Sequence, residues 1–299
     1  MIIWQFLFLD MGKGNGMGEL EGIMKKTLIF GGTGLVGSAI ANSLDGEYEV
    51  VVVSGHHEIE NGYTCSAENL TKLSYILKKE QPDIIVSSIL GDFSSQMLFH
   101  EELSDWIKEN DKVLVYISTT NVFDGDLSKP VDEASEPNPE SDYGIFKLNC
   151  EKMLQRKLDE RLIILRLNSV WAKRCKRIER LKRCSDEDIE IETYPGDMIS
   201  VTLAEQVGEY LKYILDNELS GVFHVGTEDM VDYHEFERMV CDRLNIPYPR
   251  FKRIDVEKPA YQAFLPTIRD IPAELRKSVK DVLDAIAVEV KEDEEYLKC

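Results

Sequence analysis

The chain has no C-x-x-C pair. Its six cysteines, Cys65, Cys150, Cys175, Cys184, Cys241 and Cys299, are scattered, which argues against a zinc site and against a disulfide framework, and fits a reducing cytoplasm. No metal is expected. Positive charge is also scarce: 35 Lys and Arg stand against 55 Asp and Glu, a formal net charge of −20, so nucleic acid, which needs a basic footprint, is not expected as a general partner. Long apolar runs are missing too. Met1 to Leu9 is apolar but too short to span a bilayer, and it lacks the basic start of a signal peptide; no membrane partner is expected. No internal repeat or low-complexity linker breaks the chain. With 299 residues and 43% hydrophobic content, there is room for one large α/β domain or for a core domain with a smaller companion.

What is present begins with glycine. Gly31, Gly34 and Gly37 sit in Thr27-Leu-Ile-Phe-Gly31-Gly32-Thr33-Gly34-Leu35-Val36-Gly37-Ser-Ala-Ile, an apolar run that turns into an amphipathic stretch. The pattern predicts strand, tight turn and helix. Glycine lets the backbone take positive φ and lets a pyrophosphate approach, while the helix N-terminus offers free N–H groups and a favourable dipole. Gly31, Thr33, Gly34, Leu35, Val36 and Gly37 are therefore the expected cofactor cradle. The spacing is G-x-x-G-x-x-G rather than G-x-G-x-x-G, so its weight comes from its place after a buried strand.

Beyond the turn, strands alternate with helices: strand Tyr48 to Val53, helix Leu70 to Lys79, strand Pro82 to Ser88, helix Phe99 to Asn110 and strand Lys112 to Ser118. Near-continuous β-branched runs divided by helices predict a Rossmann-like, doubly wound parallel α/β sheet with ligands at the carboxyl ends of its strands. The second strand ends in Val53-Ser54-Gly55-His56-His57, with no carboxylate before Glu58. A 2′-phosphate would not be repelled there, and Ser54 and His56 can hydrogen-bond it, which favours NADPH over NADH; the histidines read equally well as solvated, neutral loop residues. Residues 1–23 precede Met24-Lys-Lys and the first core strand, with a glycine-rich stretch from Gly12 to Gly22. They are expected to be a disordered or artefactual extension, translation starting at Met24. Residues 24–170 then form the NAD(P)-binding domain. Residues 171–299 form a smaller, mixed α/β, mainly substrate-binding region, from which about 203–226 return to the core.

The chemistry is expected in two segments, Ile117-Ser118-Thr119-Thr120-Asn121-Val122-Phe123-Asp124-Gly125 and Ser141-Asp142-Tyr143-Gly144-Ile145-Phe146-Lys147. The first closes a strand and the second opens a helix. A Tyr and a Lys four apart share one helical face, so the ammonium can lower the phenol pKa and hold the nicotinamide ribose, while a hydroxyl at the strand end orients a substrate carbonyl.

Here the chain resembles the extended short-chain dehydrogenase/reductases and, within them, the dTDP-4-dehydrorhamnose reductase family, from Lys25 to roughly Lys277. Ser118-Thr-Thr-Asn-Val-Phe-Asp-Gly125 is similar to S-T-D-Y-V-F-x-G, and Tyr143-Gly-Ile-Phe-Lys-Leu-Asn-Cys-Glu151 to Y-G-x-x-K-x-x-x-E. Pro130-Val-Asp-Glu133 and Pro137 lie between them. Leu165-Arg-Leu-Asn-Ser-Val-Trp171 is similar to L-R-x-S-W-V-Y, and Gly221-Val-Phe-His-Val-Gly226 to G-x-Y-H-x-x-G. The resemblance implies Thr119 as catalytic hydroxyl, Tyr143 as acid and Lys147 as its partner. It also implies a substrate lining of Asn121, Val122, Phe123, Asn168 and Trp171. Ser87 and Ser88 stand where the family lines the cofactor with N-A-A-A, Thr120 replaces its aspartate, and Asn121 and Trp171 each replace a tyrosine. The implied reaction is NAD(P)H-dependent reduction of the 4-keto group of a nucleoside-diphosphate deoxysugar by a monomer or homodimer.

The stretch Lys173-Arg174-Cys-Lys176-Arg177-Ile-Glu-Arg180-Leu-Lys182-Arg183 is conspicuously basic. Either Arg174 and Arg177 bind the substrate diphosphate through paired N–H donors, or the stretch is a solvated helix face with Ile178 and Leu181 inward. Thr202 is expected to cap a helix from Leu203 to Leu215 and Asp232 the next one. His224 and His234 read as structural, and the acidic tail Glu289 to Tyr296 as a solvated helix end. Two other functions share the fold: an NAD-dependent sugar-nucleotide epimerase or dehydratase, which would carry an acid at the end of the second strand, and a non-catalytic dinucleotide-binding regulatory subunit, which would tolerate a broken Tyr-Lys pair.

Overall fold

The computed structural model describes residues 24–254, 258–266 and 271–288. The expected extension over 1–23 and the acidic tail lie outside them. The first half runs β1 (Lys26–Phe30), α1 (Leu35–Leu44), β2 (Glu49–Ser54), β3 (Tyr63–Thr64), α2 (Leu70–Glu80), β4 (Ile84–Ser87), α3 (Phe93–Asn110), β5 (Val113–Thr119), α4 (Asp142–Leu158) and β6 (Leu162–Leu167). The second half runs β7 (Ser169–Trp171), α5 (Lys176–Asp186), β8 (Glu190–Thr193), β9 (Asp197–Ile199), β10 (Val201–Leu203), α6 (Ala204–Asp216) and β11 (Gly221–Val225). It continues through β12 (Val231–Asp232), α7 (Tyr233–Arg243), β13 (Arg250–Arg253), β14 (Ala260–Gln262) and α8 (Val279–Ala287).

Seven strands form one parallel sheet in the order β11-β6-β5-β4-β1-β2-β3. The pleat alternates side chains between two cores. Leu28, Phe30, Leu114, Tyr116, Leu162 and Ile164 pack on one face with residues of α2, α3 and α4, such as Leu73, Phe99 and Leu154. Ile29, Val115, Ile163 and Leu165 pack on the other with Ile40 of α1 and Val207 and Leu211 of α6. Because both faces are covered, each strand must be apolar throughout, which is why these segments read as unbroken runs. Strand order reverses between β1 and β4, and a crevice at such a point is where an α/β sheet binds a nucleotide.

The C-terminal lobe is built differently. It has its own core around Trp171, Ile178, Leu181, Phe236, Val240 and Val282, and strands of two to four residues in small sheets: β7 with β10, β9 with β12 and β14, and β8 with β13. α6 and β11 leave this lobe and lie against the main sheet, β11 pairing in parallel with β6. Two helix starts differ from expectation. α3 begins at Phe93 rather than Phe99, because Asp92 caps it by accepting the Ser95 N–H at 2.8 Å. Thr202 is a strand residue whose hydroxyl donates to the Val225 carbonyl at 2.7 Å, so α6 starts at Ala204 without a side-chain cap. Asp232 does cap α7 through the Glu235 N–H. Among the described residues no helix is long and apolar enough to cross a membrane.

Candidate active site

The glycine turn connects β1 to α1 at the carboxyl edge of the sheet. Gly31 has φ +76°, and a Cβ there would stand 2.6 Å from the Ser88 carbonyl oxygen; a Cβ at Gly37 would overlap the carbonyl of Gly31. α1 starts after Gly34 with no side-chain cap and no acid in its first turn, so the amides around Leu35 and Val36, with Thr33 on the same turn, form an anion-ready helix end that fits a dinucleotide pyrophosphate. The serines expected beside it are bonded within the fold. Ser88 braces the turn, its hydroxyl donating to the carbonyls of Phe30 at 3.1 Å and Gly31 at 3.3 Å. Ser87 is buried against His100 Nε2 at 2.9 Å. Burial pushes His100 down to about 3. The ring is therefore neutral, with Nδ1–H donating to the Gln96 carbonyl at 2.6 Å and Nε2 left to accept the Ser87 proton. Ser54 is buried as well, accepting the His57 N–H at 3.1 Å, while His56 lies exposed at the end of β2.

Thr119 ends β5, the strand that leads into the second half of the site. Its hydroxyl donates to Asn121 Oδ1 at 2.9 Å and accepts the Asn121 N–H at 3.2 Å. Ser141 caps α4 by accepting the Gly144 N–H at 3.0 Å, which places Tyr143 in the first turn and Lys147 one turn later. The Tyr143 ring is 36% exposed and the Thr119 hydroxyl is its polar neighbour. Burial raises the phenol above the ordinary tyrosine range and the Thr119 hydroxyl pulls it back. The expected lowering by Lys147 is not how the site is wired: the buried ammonium donates to the Ile117 carbonyl at 2.7 Å and lies 4.2 Å from the centroid of the Tyr116 ring. Burial lowers Lys147 to about 8.

A cavity of about 540 Å³ opens from Thr119, lined also by Thr120, Asn121, Asn168, Ser169, Arg177, Tyr194, Asp197, Ile199, Tyr233 and Gln262. Of the expected substrate residues, Asn121, Asn168 and Arg177 meet here. Asn168 ties the wall together: its amide donates to Ser200 Oγ at 3.0 Å and to the Gln262 carbonyl at 2.6 Å, and its oxygen accepts the Thr120 hydroxyl at 3.2 Å. The others are placed elsewhere. Val122 is fully buried beside Leu148, and Phe123 is buried against Arg166 and His224. Trp171 is a core residue, edge-on to Phe236 at 5.0 Å, its indole N–H donating to Ser169 Oγ. It backs Arg177, whose guanidinium lies 5.7 Å from its ring. Arg174 is exposed and outside the lining. α5 turns Ile178, Leu181 and Cys184 inward, so most of the basic stretch is a solvated face and Arg177 is the cation that reaches the cavity. Tyr194, Asp197 and Gln262 had no sequence signal, since they come from short strands and turns without periodicity, and Tyr233 stands at the first position of α7, where no helical period has yet begun. His224 and His234 are buried, the first tilted against Phe264 and the second edge-on to Phe251.

A glycine turn at the switch point of a parallel sheet, with Thr119, Tyr143 and Lys147 at the carboxyl edge, defines a short-chain dehydrogenase/reductase. A family model described as the RmlD substrate binding domain matches residues 92–278. A dTDP-4-dehydrorhamnose reductase from Aggregatibacter actinomycetemcomitans is 23% identical over 92% of this chain and 98% of its own. The methionine adenosyltransferase 2 subunit beta of Danio rerio is 22% identical over 78% of each. Among solved structures, dTDP-4-dehydrorhamnose reductase from Bacillus anthracis in complex with NADP superposes with a TM-score of 0.74 at 17% identity, covering 89% of this chain and 98% of that one. The chain belongs to the dTDP-4-dehydrorhamnose reductase family.

Proposed function

We propose that this protein reduces the 4-keto group of a nucleoside-diphosphate deoxysugar with NADPH, or with NADH. The observation that carries the reading is the placing of Tyr143 beside Thr119, which lines a cavity holding both polar and cationic groups. Hydroxyl and amide groups of Thr120, Asn121, Asn168 and Gln262 suit a sugar, while Arg177 with Tyr194 and Tyr233 suits a diphosphate and its base. Bound nicotinamide, its pyrophosphate on the first turn of α1, supplies the hydride. Thr119 and Tyr143 hydrogen-bond the carbonyl oxygen, and as the C–H bond forms at C4 the phenol O–H breaks, its proton going to the nascent alkoxide. A phenol held high by burial keeps its proton until that moment. Lys147, fixed by the Ile117 carbonyl, turns its remaining donors to the ribose hydroxyls.

The absence of a carboxylate at Thr120 and at the end of β2 weighs against an epimerase or dehydratase. Likeness to a subunit of methionine adenosyltransferase 2 favours a second reading, a dinucleotide-binding subunit without turnover. Oxidation of NADPH in the presence of a dTDP-4-keto-6-deoxysugar separates the two. The reductase turns over, and Tyr143→Phe loses about 10²-fold or more in kcat while still binding NADPH; tight NADPH binding with no turnover by the unaltered protein overturns the reductase reading.

A further inference from the structure

We infer that Asp124 is a positioning residue for the Tyr143 phenol, tying the strand end that carries Thr119 to the helix start that carries Tyr143; the assignment rests on the reductase reading above. Asp124 lies between the two, after the turn that follows β5. Its Oδ1 accepts the N–H of Glu140 at 2.6 Å and that of Ser141 at 3.1 Å. Its Oδ2 accepts the Ser141 hydroxyl and, at 3.5 Å, the Asn121 side-chain amide. Ser141 is the residue that caps α4, so the carboxylate determines where the helix begins. Asn121 is the residue bonded in both directions to Thr119. One carboxylate therefore reaches Tyr143 through Ser141 and Thr119 through Asn121. The two sides are pressed together as well, because a Cβ at Gly144 would overlap the Asn121 carbonyl.

The device depends on charge. Burial alone would raise Asp124, but the bonds from Ser141, Glu140 and Asn121 outweigh it and hold the carboxyl below its ordinary value, so it is ionised and accepts from every partner. Asparagine at the same place can keep the two backbone N–H groups but turns a donor toward the Ser141 hydroxyl, which then has nowhere to send its proton and caps α4 less well. With the first turn of α4 loosened, the phenol leaves Thr119, the hydroxyl that offsets its burial. The glycine turn on α1 takes no part in this.

The test compares the protein with Asp124→Asn and with Ser141→Ala, which cuts the same link at its other partner. The Tyr143 phenol is titrated by tyrosinate absorbance, as the difference between each protein and its Tyr143→Phe counterpart. Turnover and NADPH affinity are measured alongside. Both substitutions should move the phenol titration alkaline by about half a pH unit or more and lower kcat roughly ten- to a hundredfold, with KM for the sugar and the NADPH dissociation constant within about twofold. An unmoved phenol and an unchanged kcat in a folded variant overturn the assignment, and so does a loss of NADPH affinity as large as the loss of kcat, which would mark general loosening. If Asp124→Asn does not fold, Ser141→Ala gives the same readings. If the unaltered protein does not reduce the keto sugar, the reductase reading fails, and the phenol titration, which needs no substrate, still decides whether Asp124 holds the pair together.

Discussion

Around Gly31 and Gly37 the chain packs backbone against backbone, with no room for one additional carbon, whereas the wall of the cavity is made of side chains from six separate segments. The first arrangement is rigid because its contacts are carbonyl oxygens and Cα atoms that cannot rotate away. The second is more adjustable, since most of its side chains come from loops and the small C-terminal sheets rather than from the main sheet. A common cofactor and a variable substrate call for this division. Damage on the cofactor side should be close to all-or-none, and on the cavity side graded.

Four substitutions press on that contrast. The largest effect is expected from Gly37→Ala, which drives a methyl into the Gly31 carbonyl: NADPH binding should vanish in a titration, with a stability loss of about 1–3 kcal/mol in denaturant unfolding. A merely weakened affinity would erase the contrast. Next comes Arg177→Ala, which should raise KM for the sugar nucleotide about tenfold or more, the worth of a charge-assisted hydrogen bond, and leave kcat nearly alone. Arg174→Ala should change neither, and an equal effect of the two would return the whole basic stretch to the substrate. The smallest effect concerns Lys147. Its value of about 8 in the folded protein lies below the ordinary 10.5, so between those pH values the unfolded chain binds more protons and stability rises with pH. Lys147→Met should flatten that rise when unfolding is followed across the window.

The sheet was legible because its signals are local. Thr27-Leu-Ile-Phe and Lys112-Val-Leu-Val-Tyr-Ile-Ser carry the apolar continuity of strands covered on both faces, and Tyr143 and Lys147 share a helical face by spacing alone. What escaped was set by partners distant in sequence. Ser87 and Ser54 end strands at the crevice and look available, yet His100 and the His57 N–H claim their oxygens. Trp171 sits in a matched motif, but Phe236, sixty-five residues on, draws it into the lobe core. Tyr233 reaches the cavity from the first position of α7 and Gln262 from a three-residue strand of a three-stranded sheet, too short for any period to show. Asp124 lay within a motif read for its catalytic hydroxyl, and its role as a tie depends on Glu140 and Ser141, which the sequence places beyond a long loop.

The return of α6 and β11 to the main sheet also bears on modularity. A chain cut after Trp171 would keep the glycine turn, Thr119, Tyr143 and Lys147, yet β6 would present an unpaired edge, apolar but for Arg166, and Ile40 and Leu44 of α1 would lose Val207, Leu211 and Ile214. Such an edge is a template for aggregation. The C-terminal lobe is thus threaded through the nucleotide fold, its pieces lying on both sides of α6 and β11, and recombination between relatives must exchange the stretch between β6 and α6 together with the one after β11, leaving α6 and β11 in place.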